Sequence, residues 1–251
     1  MTGVFTLVGG GRAGKSLGAA MVGVGWEWKE TLGRGDDVAD AAQDVDLVVV
    51  ATPDKAIGDV AAAISPGPAV VLHLSGARGI DVLGAHRAAG MHPLVAMSDP
   101  DTGAVALRDS WFAVAGDPLA SQLAESLSGK WFEIDDGDRR LYHAAAAIGS
   151  NHMVALLGQV ERIAAEIGVP MEAFMPLVQS SLDGVAQLGP ASALTGPASR
   201  GDEETLQGHQ AALADRLPDE LDGYNSMLEL ARTLVSQRDQ DAPAEASASQ
   251  G

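Results

Sequence analysis

The stretch Gly9-Gly10-Gly11-Arg12-Ala13-Gly14-Lys15-Ser16 decides how the rest of this chain is read. It follows a short β-rich run, Val4 to Val8, and opens a stretch with helical patterning. A helix starting there aims its free amides and the positive end of its dipole over the loop, which suits a phosphate. Read as G-x-G-x-x-G, Gly9 makes a tight turn, Gly11 admits a pyrophosphate, and Gly14 lets helix and strand pack closely. Gly9, Gly11, Arg12, Ala13 and Gly14 then form a dinucleotide-binding loop. The same residues also satisfy G-x-x-x-x-G-K-S, in which Lys15 reaches terminal phosphates and Ser16 holds magnesium. That second reading makes the chain an ATPase or phosphotransferase.

Context favours the first. A magnesium-dependent phosphate loop is served by an acid at the end of another strand. Here the apolar run Leu47 to Ala51 leads into Thr52-Pro53-Asp54, so the acid lies beyond a proline. Further strand-like runs are Ala69 to Leu74, Trp111 to Ala115 and Lys130 to Ile134, with a weaker one near Trp26 to Thr31. Continuous apolar runs read as strands buried on both faces. Alternation of such runs with helical stretches predicts an α/β, Rossmann-type doubly wound parallel sheet over residues 1–134.

The texture changes after Asp135-Asp136-Gly137-Asp138. Residues 135–237 read as an all-α domain. A long helix from about Arg139 to Ile167 stops at Gly168-Val169-Pro170. A second helix spans Met171 to Leu182, a loop rich in Gly, Pro, Ser and Ala runs from Gly189 to Gly201, and two more helices follow, the last from Pro218. Residues 238–251 lack apolar bulk and read as a disordered tail.

The formal charge of −18 disfavours nucleic acid and anionic membrane surfaces as partners. An anionic ligand therefore needs a locally positive pocket, and single arginines become informative. With no cysteine, disulfides and thiolate chemistry are excluded. The histidines are scattered without metal-ligand spacing, so no metal is expected. The N-terminus lacks a basic leader region and the apolar runs are strand-length, which predicts a soluble cytoplasmic protein. The weak second strand leads into Leu32-Gly33-Arg34-Gly35, where Arg34, helped by Arg12 or Lys29, would meet a 2′-phosphate. Glu30 is the rival acid for an unphosphorylated ribose. NADP(H) is accordingly expected over NAD(H), with Thr52, Pro53 and Asp54 completing the cofactor set; a solvated surface role for Arg34 stays open.

With those residues in view, the chain resembles a bacterial family described as Rossmann-like with a DUF2520 C-terminal domain. The matching pieces are the glycine loop, Ala51-Thr52-Pro53-Asp54, His73-Leu74-Ser75-Gly76-Ala77 and Met91-His92-Pro93-Leu94. In the second half they are Tyr142-His143 through Ser150-Asn151, Leu194-Thr195-Gly196-Pro197 and Arg200-Gly201-Asp202. The resemblance extends to pyrroline-5-carboxylate reductases, prephenate dehydrogenases, ketopantoate reductases and β-hydroxyacid dehydrogenases. It implies an NAD(P)-dependent oxidoreductase of a small, carboxylated carbonyl or imine compound, such as a 2-oxoacid resembling ketopantoate, and a homodimer. The catalytic lysine that β-hydroxyacid dehydrogenases carry on the first long helix has no evident counterpart; His143 stands there instead. Its absence keeps a second reading open, a dinucleotide-binding sensor or interaction protein without turnover.

Candidate catalytic residues are His143, Ser150 and Asn151, which an unbroken helix would place about two turns apart on one face. Histidine titrates near neutrality and suits proton transfer beside a hydride carrier. Ser75 and His92 follow or end strands of the first half, where open α/β sheets place ligands, and are candidate substrate contacts. Thr195 and Arg200 are the others, Arg200 as a fork for a carboxylate. Each has a plainer alternative: a packed or capping histidine, a histidine held before a proline turn, an Arg200–Asp202 loop contact. Asp202 itself reads as a helix N-cap.

Overall fold

The computed structural model describes residues 2–241. One compact unit runs to His152 and a second begins at Met153. The first is built on seven strands: β1 (Val4–Val8), β2 (Glu27–Leu32), β3 (Leu47–Val50), β4 (Val70–His73), β5 (Arg87–Pro93), β6 (Trp111–Gly116) and β7 (Lys130–Glu133). Their order in the sheet is β2-β1-β3-β4-β5-β6-β7. Strands β1 to β5 are parallel, so the chain has the Rossmann-type α/β fold, with a helical region after it.

All four residues of β3 and all four of β4 are buried, as continuous apolar runs require in a sheet covered on both faces. On one face Phe5, Leu7, Leu72 and Met91 pack under Leu17 and Met21 of α1 (Arg12–Gly23). On the other, Val48, Val50 and Val71 pack under Ile57 and Ala61 of α2 (Ile57–Ala63).

Two features depart from the sequence reading. Strand β5 was not among the expected strands, because Arg-Ala-Ala-Gly-Met-His-Pro offers neither β-branched residues nor an apolar run. Its place between β4 and β6, with Ala89 and Met91 fully buried, makes it a strand. The sheet is also not wholly parallel: β6 runs antiparallel to β5, and β7 follows β6. The intervening helix α3 (Pro100–Ala106) lies against α1, with Gly103 on Ser16, and does not carry the chain across the sheet. The chain re-enters where it left, with the Leu94 N–H already bonded to the Trp111 carbonyl at 2.9 Å, and must run back. The amphipathic α4 (Leu119–Ser126) then joins β6 to β7.

Helix α5 (Arg139–Ala147) belongs to the first unit, since Arg139 is fully buried and Tyr142 is bonded to β5. The division between units therefore falls at His152/Met153, inside the helical run and not at the acidic turn before it.

The second unit comprises α6 (Met153–Glu166), α7 (Met175–Leu188), α8 (Pro190–Ala193), α9 (Pro197–Arg200), α10 (Glu203–Arg216) and α11 (Leu221–Asp241). Gly168, at φ +71°, ends α6 while the Val169 N–H caps the Ala164 carbonyl at 2.9 Å. The short α8 and α9 occupy the stretch read as a loop, each opened by a proline whose fixed φ suits a first turn. Asp202 caps α10, its Oδ1 accepting the Thr205 N–H at 3.1 Å. Helix α11 continues to Asp241, so residues 238–241 of the expected tail are helical; the rest of that tail lies outside the described residues. Among the described residues no helix is long and apolar enough to cross a membrane.

Candidate functional site

The glycine turn fixes one end of the site. Gly9 sits at φ +105°, and a Cβ there would lie 2.5 Å from the Ala51 carbonyl oxygen of the neighbouring strand exit. Gly14 lies as close: a Cβ would fall 2.6 Å from the Gly9 carbonyl oxygen and 2.8 Å from the Ala51 Cβ. Gly11 differs. It is the N-cap of α1 with ordinary φ −71°, and nothing lies within 4 Å of where its Cβ would be. Neither a side-chain cap nor an acidic residue occupies the first turn, so its amides remain for an anion. Ala13 lies in that turn, and the exposed Arg12 extends to the Ser98 carbonyl at 3.3 Å.

Ser16 is fully buried beside Gly103 of α3, its hydroxyl without a protein partner. It therefore faces α3 and not the loop, which removes the magnesium ligand that the ATPase reading needs.

Strand β2 delivers Arg34 to the same end. Val8 stands opposite Leu32, and the Gly9 N–H donates to the Leu32 carbonyl at 2.9 Å, so the turn after Leu32 emerges beside the glycine turn. Arg34 is exposed there and forms no ion pair among the described residues. Glu30 lies within the strand, opposite Thr6, rather than at its end. The Lys29 ammonium is engaged by the Gln43 carbonyl at 2.6 Å, so it does not assist Arg34.

From the glycine turn a line of residues runs along the carboxyl ends of the parallel strands. Thr52, whose N lies 3.1 Å from the Gly9 Cβ position, follows β3, and Pro53 leads to Asp54. An Asp54 carboxylate oxygen accepts the Ser75 hydroxyl proton at 2.7 Å. The Ser75 oxygen in turn accepts the Ala77 and Arg78 N–H groups at 3.2 and 3.1 Å. One donor and two acceptor sites are all a hydroxyl has. Ser75 is thus a buried organiser of the loop after β4, its hydroxyl already engaged by Asp54, Ala77 and Arg78.

Beyond Ser75 the loop meets three histidines. His73, fully buried at the end of β4, accepts the Ser75 N–H on Nδ1 at 3.1 Å and bonds the Gly79 carbonyl through Nε2 at 3.2 Å. It is therefore the neutral Nε2–H tautomer, and burial above all lowers its pKa. Gly76 separates the other two: a Cβ there would fall 2.7 Å from His143 Cδ2 and 3.0 Å from His92 Nε2. Their ring centroids are 5.8 Å apart. His92 bonds the Tyr142 hydroxyl through Nδ1 at 2.6 Å. Burial first, then the charge of His143, pushes His92 down to about 4. Burial pushes the Tyr142 phenol up to about 12. His143 itself is exposed.

Arg139 is the residue that sequence reasoning passed over, as merely the start of a helix. It is fully buried, with Nε bonded to an Asp136 oxygen at 2.8 Å and Nη2 against Gly90 of β5. Its Nη1 and Nη2 make no hydrogen bond to the protein. This cation disfavours protonation of His73 and His92. Nothing in the sequence around Arg139-Arg140 distinguishes the buried arginine from its exposed neighbour.

A stability consequence follows from His92. Its pKa is near 6.5 unfolded and about 4 folded, so the folded state resists protonation. The neutral ring's contribution is whole above pH 6.5 and is lost as pH falls from 6.5 toward 4. Wild type is expected to lose stability over that window faster than His92→Gln, by up to about 1.4 kcal/mol per pH unit. Denaturant melts at stepped pH check this, and parallel curves for the two proteins would contradict it.

Ser150 and Asn151 fall in a π-helical turn, Ile148–His152, that joins α5 to α6. The wider turn admits an extra residue, so the shared face expected from an unbroken α-helix does not carry over unchanged. Both side chains are exposed and neither bonds a described residue. Thr195 and Arg200 lie in the second unit, before α9 and at its end. Arg200 is exposed and forms no ion pair among the described residues, so the alternative Arg200–Asp202 contact is not made; Asp202 is spent on Thr205. A cavity of about 550 Å³ in the first unit lies at the opposite ends of β3 and β4, is lined by residues 42–46 and 65–68, and offers no cation.

Comparison with known proteins agrees with this architecture. No curated protein sequence matches the chain significantly. Among solved structures, a protein of Thermotoga maritima shares 23% identity at a TM-score of 0.72, over 94% of this chain and 99% of its own. A Bacteroides fragilis protein provisionally named an NADP oxidoreductase shares 19% at 0.77, over 92% and 98%. The pyrroline carboxylate reductase of Plasmodium falciparum, solved with NADP bound, shares 12% at 0.60, over 92% and 97%. At such identities the likeness is one of fold. Residues 112–231 match the family model described as a domain of unknown function, DUF2520, a match that begins inside β6 and takes in α5. The chain thus has a Rossmann-type fold and, over residues 112–231, matches the DUF2520 domain, as its sequence motifs led one to expect.

Proposed function

We propose that this protein is an NADP(H)-dependent oxidoreductase acting on a small carboxylated carbonyl or imine compound. The observation that carries the reading is the unbroken line from the glycine turn through Thr52, Asp54 and Ser75 to Gly76, His92 and His143. That line brings the glycine turn and two facing histidines to the carboxyl ends of parallel strands of one sheet, where such folds bind ligands, and this supports a phosphate-binding loop at one end and substrate chemistry at the other. The residues fit a dinucleotide. Open space over Gly11, a first helical turn without acid or side-chain cap, and an unpaired Arg34 beside it suit a pyrophosphate and a 2′-phosphate.

A bound nicotinamide supplies the hydride chemistry. The chain's own part is to hold phosphates at Gly9–Gly14, orient an acceptor atom beside Gly76, and exchange a proton at His143. His92, held neutral, orients and does not titrate in the working range. Calorimetry with NADPH, NADH and ATP–Mg²⁺ tests the cofactor. Wild type is expected to bind NADPH tightest, with Arg34→Ala losing about tenfold for NADPH and little for NADH, in keeping with one charge-assisted phosphate contact. Equal affinity of wild type and variant for NADPH would remove Arg34 from the site. Tight NADPH binding with no consumption by any 2-oxoacid or imine would favour the non-catalytic sensor.

The homodimer is part of the same proposal. Helix α7 has no buried residue, and it exposes Met175, Leu177, Leu182, Val185 and Leu188. A soluble chain rarely leaves such a stripe uncovered, and a second copy presenting the same helix is the fitting cover. Light scattering is expected to show a dimer that Leu177→Glu with Leu188→Glu converts to monomer; a monomeric wild type would end this part of the reading.

A further inference from the structure

Tyr142 has no place in the hydride chemistry, yet its hydroxyl makes a short bond to a ring facing the site. The phenol oxygen lies 2.6 Å from His92 Nδ1, and the phenol ring stacks edge-on against Phe132, centroids 5.8 Å apart. A neutral imidazole has one nitrogen that donates and one that accepts, and the partner of one decides the role of the other. A phenol is a stronger donor than an imidazole N–H, and a bare imidazole nitrogen is a stronger acceptor than a phenol oxygen. The favoured arrangement of two neutral rings is therefore Tyr142 O–H donating to His92 Nδ1. His92 Nε2 then carries the proton, and it is Nε2 that stands 3.0 Å from the Cβ position of Gly76, beside His143.

We propose that Tyr142 is a positioning residue that locks His92 as its Nε2–H tautomer, so that His92 presents a neutral N–H donor beside Gly76 and selects substrates placing a carbonyl or carboxylate oxygen there. The naming of a substrate rests on the oxidoreductase reading; the tautomer lock does not. A protonated iminium nitrogen, itself a donor, is disfavoured at the same point. The groups bearing on His92 act in both directions: His143, Arg139 and His73 disfavour its protonation, whereas Asp54 favours it, and burial outweighs them all. Tyr142 stays protonated beside it, because burial outweighs the opposing charge of Arg139. The dyad thus keeps both rings neutral, which a donor that must not change sign requires.

Nitrogen NMR of protein labelled with ¹⁵N-histidine tests this without substrate or cofactor. The chain has six histidines, and the His92 signals are those lost in His92→Gln. In wild type at neutral pH His92 is expected to show a protonated Nε2 and a bare Nδ1 shifted by a strong donor. In Tyr142→Phe the Nδ1 signal is expected to move to that of a bare nitrogen without a donor, with the proton shared between both ring positions. His73, fixed between Ser75 and Gly79, serves as the internal reference and keeps its signals in both proteins. A proton on Nδ1 of His92 in wild type overturns the proposal, as does an unchanged Nδ1 signal in the variant. Should Tyr142→Phe also disturb His73, the wild-type spectrum alone decides. Failure here leaves NADPH binding untouched, and failure of NADPH binding leaves this result standing.

Discussion

Replacing Gly9 by alanine is expected to cost about 3–5 kcal/mol of folding stability, the sum of a backbone conformation that side chains avoid and an overpacked contact. The new Cβ would sit at φ +105°, 2.5 Å from the Ala51 carbonyl oxygen, and that atom belongs to a strand exit with no freedom to retreat. A domain of ordinary stability would be left marginal. Gly11→Ala forms the contrasting case. Its φ of −71° suits any residue and its Cβ would meet nothing, so stability should change by no more than about 1 kcal/mol, the scale of an N-cap effect. NADPH affinity should nevertheless fall at least about tenfold, since the methyl group would occupy the approach of the pyrophosphate. Urea unfolding and NADPH titration of the two variants separate the roles. Gly11→Ala with full NADPH affinity would take the pyrophosphate away from this loop.

His143→Ala is expected to lower turnover by about 10²- to 10⁴-fold while NADPH affinity stays within about twofold, the range for loss of a positioned acid–base group. His143 is exposed, so removing its ring leaves no buried cavity and the fold should tolerate it. It is also the member of the histidine group that no hydrogen bond to a described residue ties down; His73 is fixed at both ring nitrogens and His92 at one. Steady-state rates of NADPH oxidation with a panel of 2-oxoacids and cyclic imines, measured against wild type, check the expectation. Wild-type turnover in His143→Ala would strip it of the proton role and leave solvent to supply the proton beside a neutral His92.

Much of this was legible locally. The glycine register, the buried runs of β3 and β4, and the glycine and proline that end α6 are written in short stretches whose backbone conformation depends on those residues alone. Local patterning could not reveal β5, because a strand of alanine, glycine and proline is made by its neighbours. Nor could it turn β6 around, since direction depends on α3 staying beside α1.

The site divides in the same way. Asp54 and Ser75 were visible in the sequence as polar groups after apolar runs, and His92 and His143 as histidines before a proline and on a helix. Their roles were not, because a role is a matter of what a side chain touches across the sheet. Ser75 spends its hydroxyl on Asp54 and on two amides of its own loop. Tyr142 finds His92 fifty residues away. Arg139 is buried and its neighbour Arg140 is not, although the two are chemically identical in the chain. By itself the sequence determined that a glycine turn opens an α/β sheet and that helices follow, because turns and periodicities are set by nearest neighbours along the backbone. Only the tertiary structure decided which histidine is fixed, which is free and which cation lies beneath them, because burial and hydrogen-bond partners are set by neighbours in space.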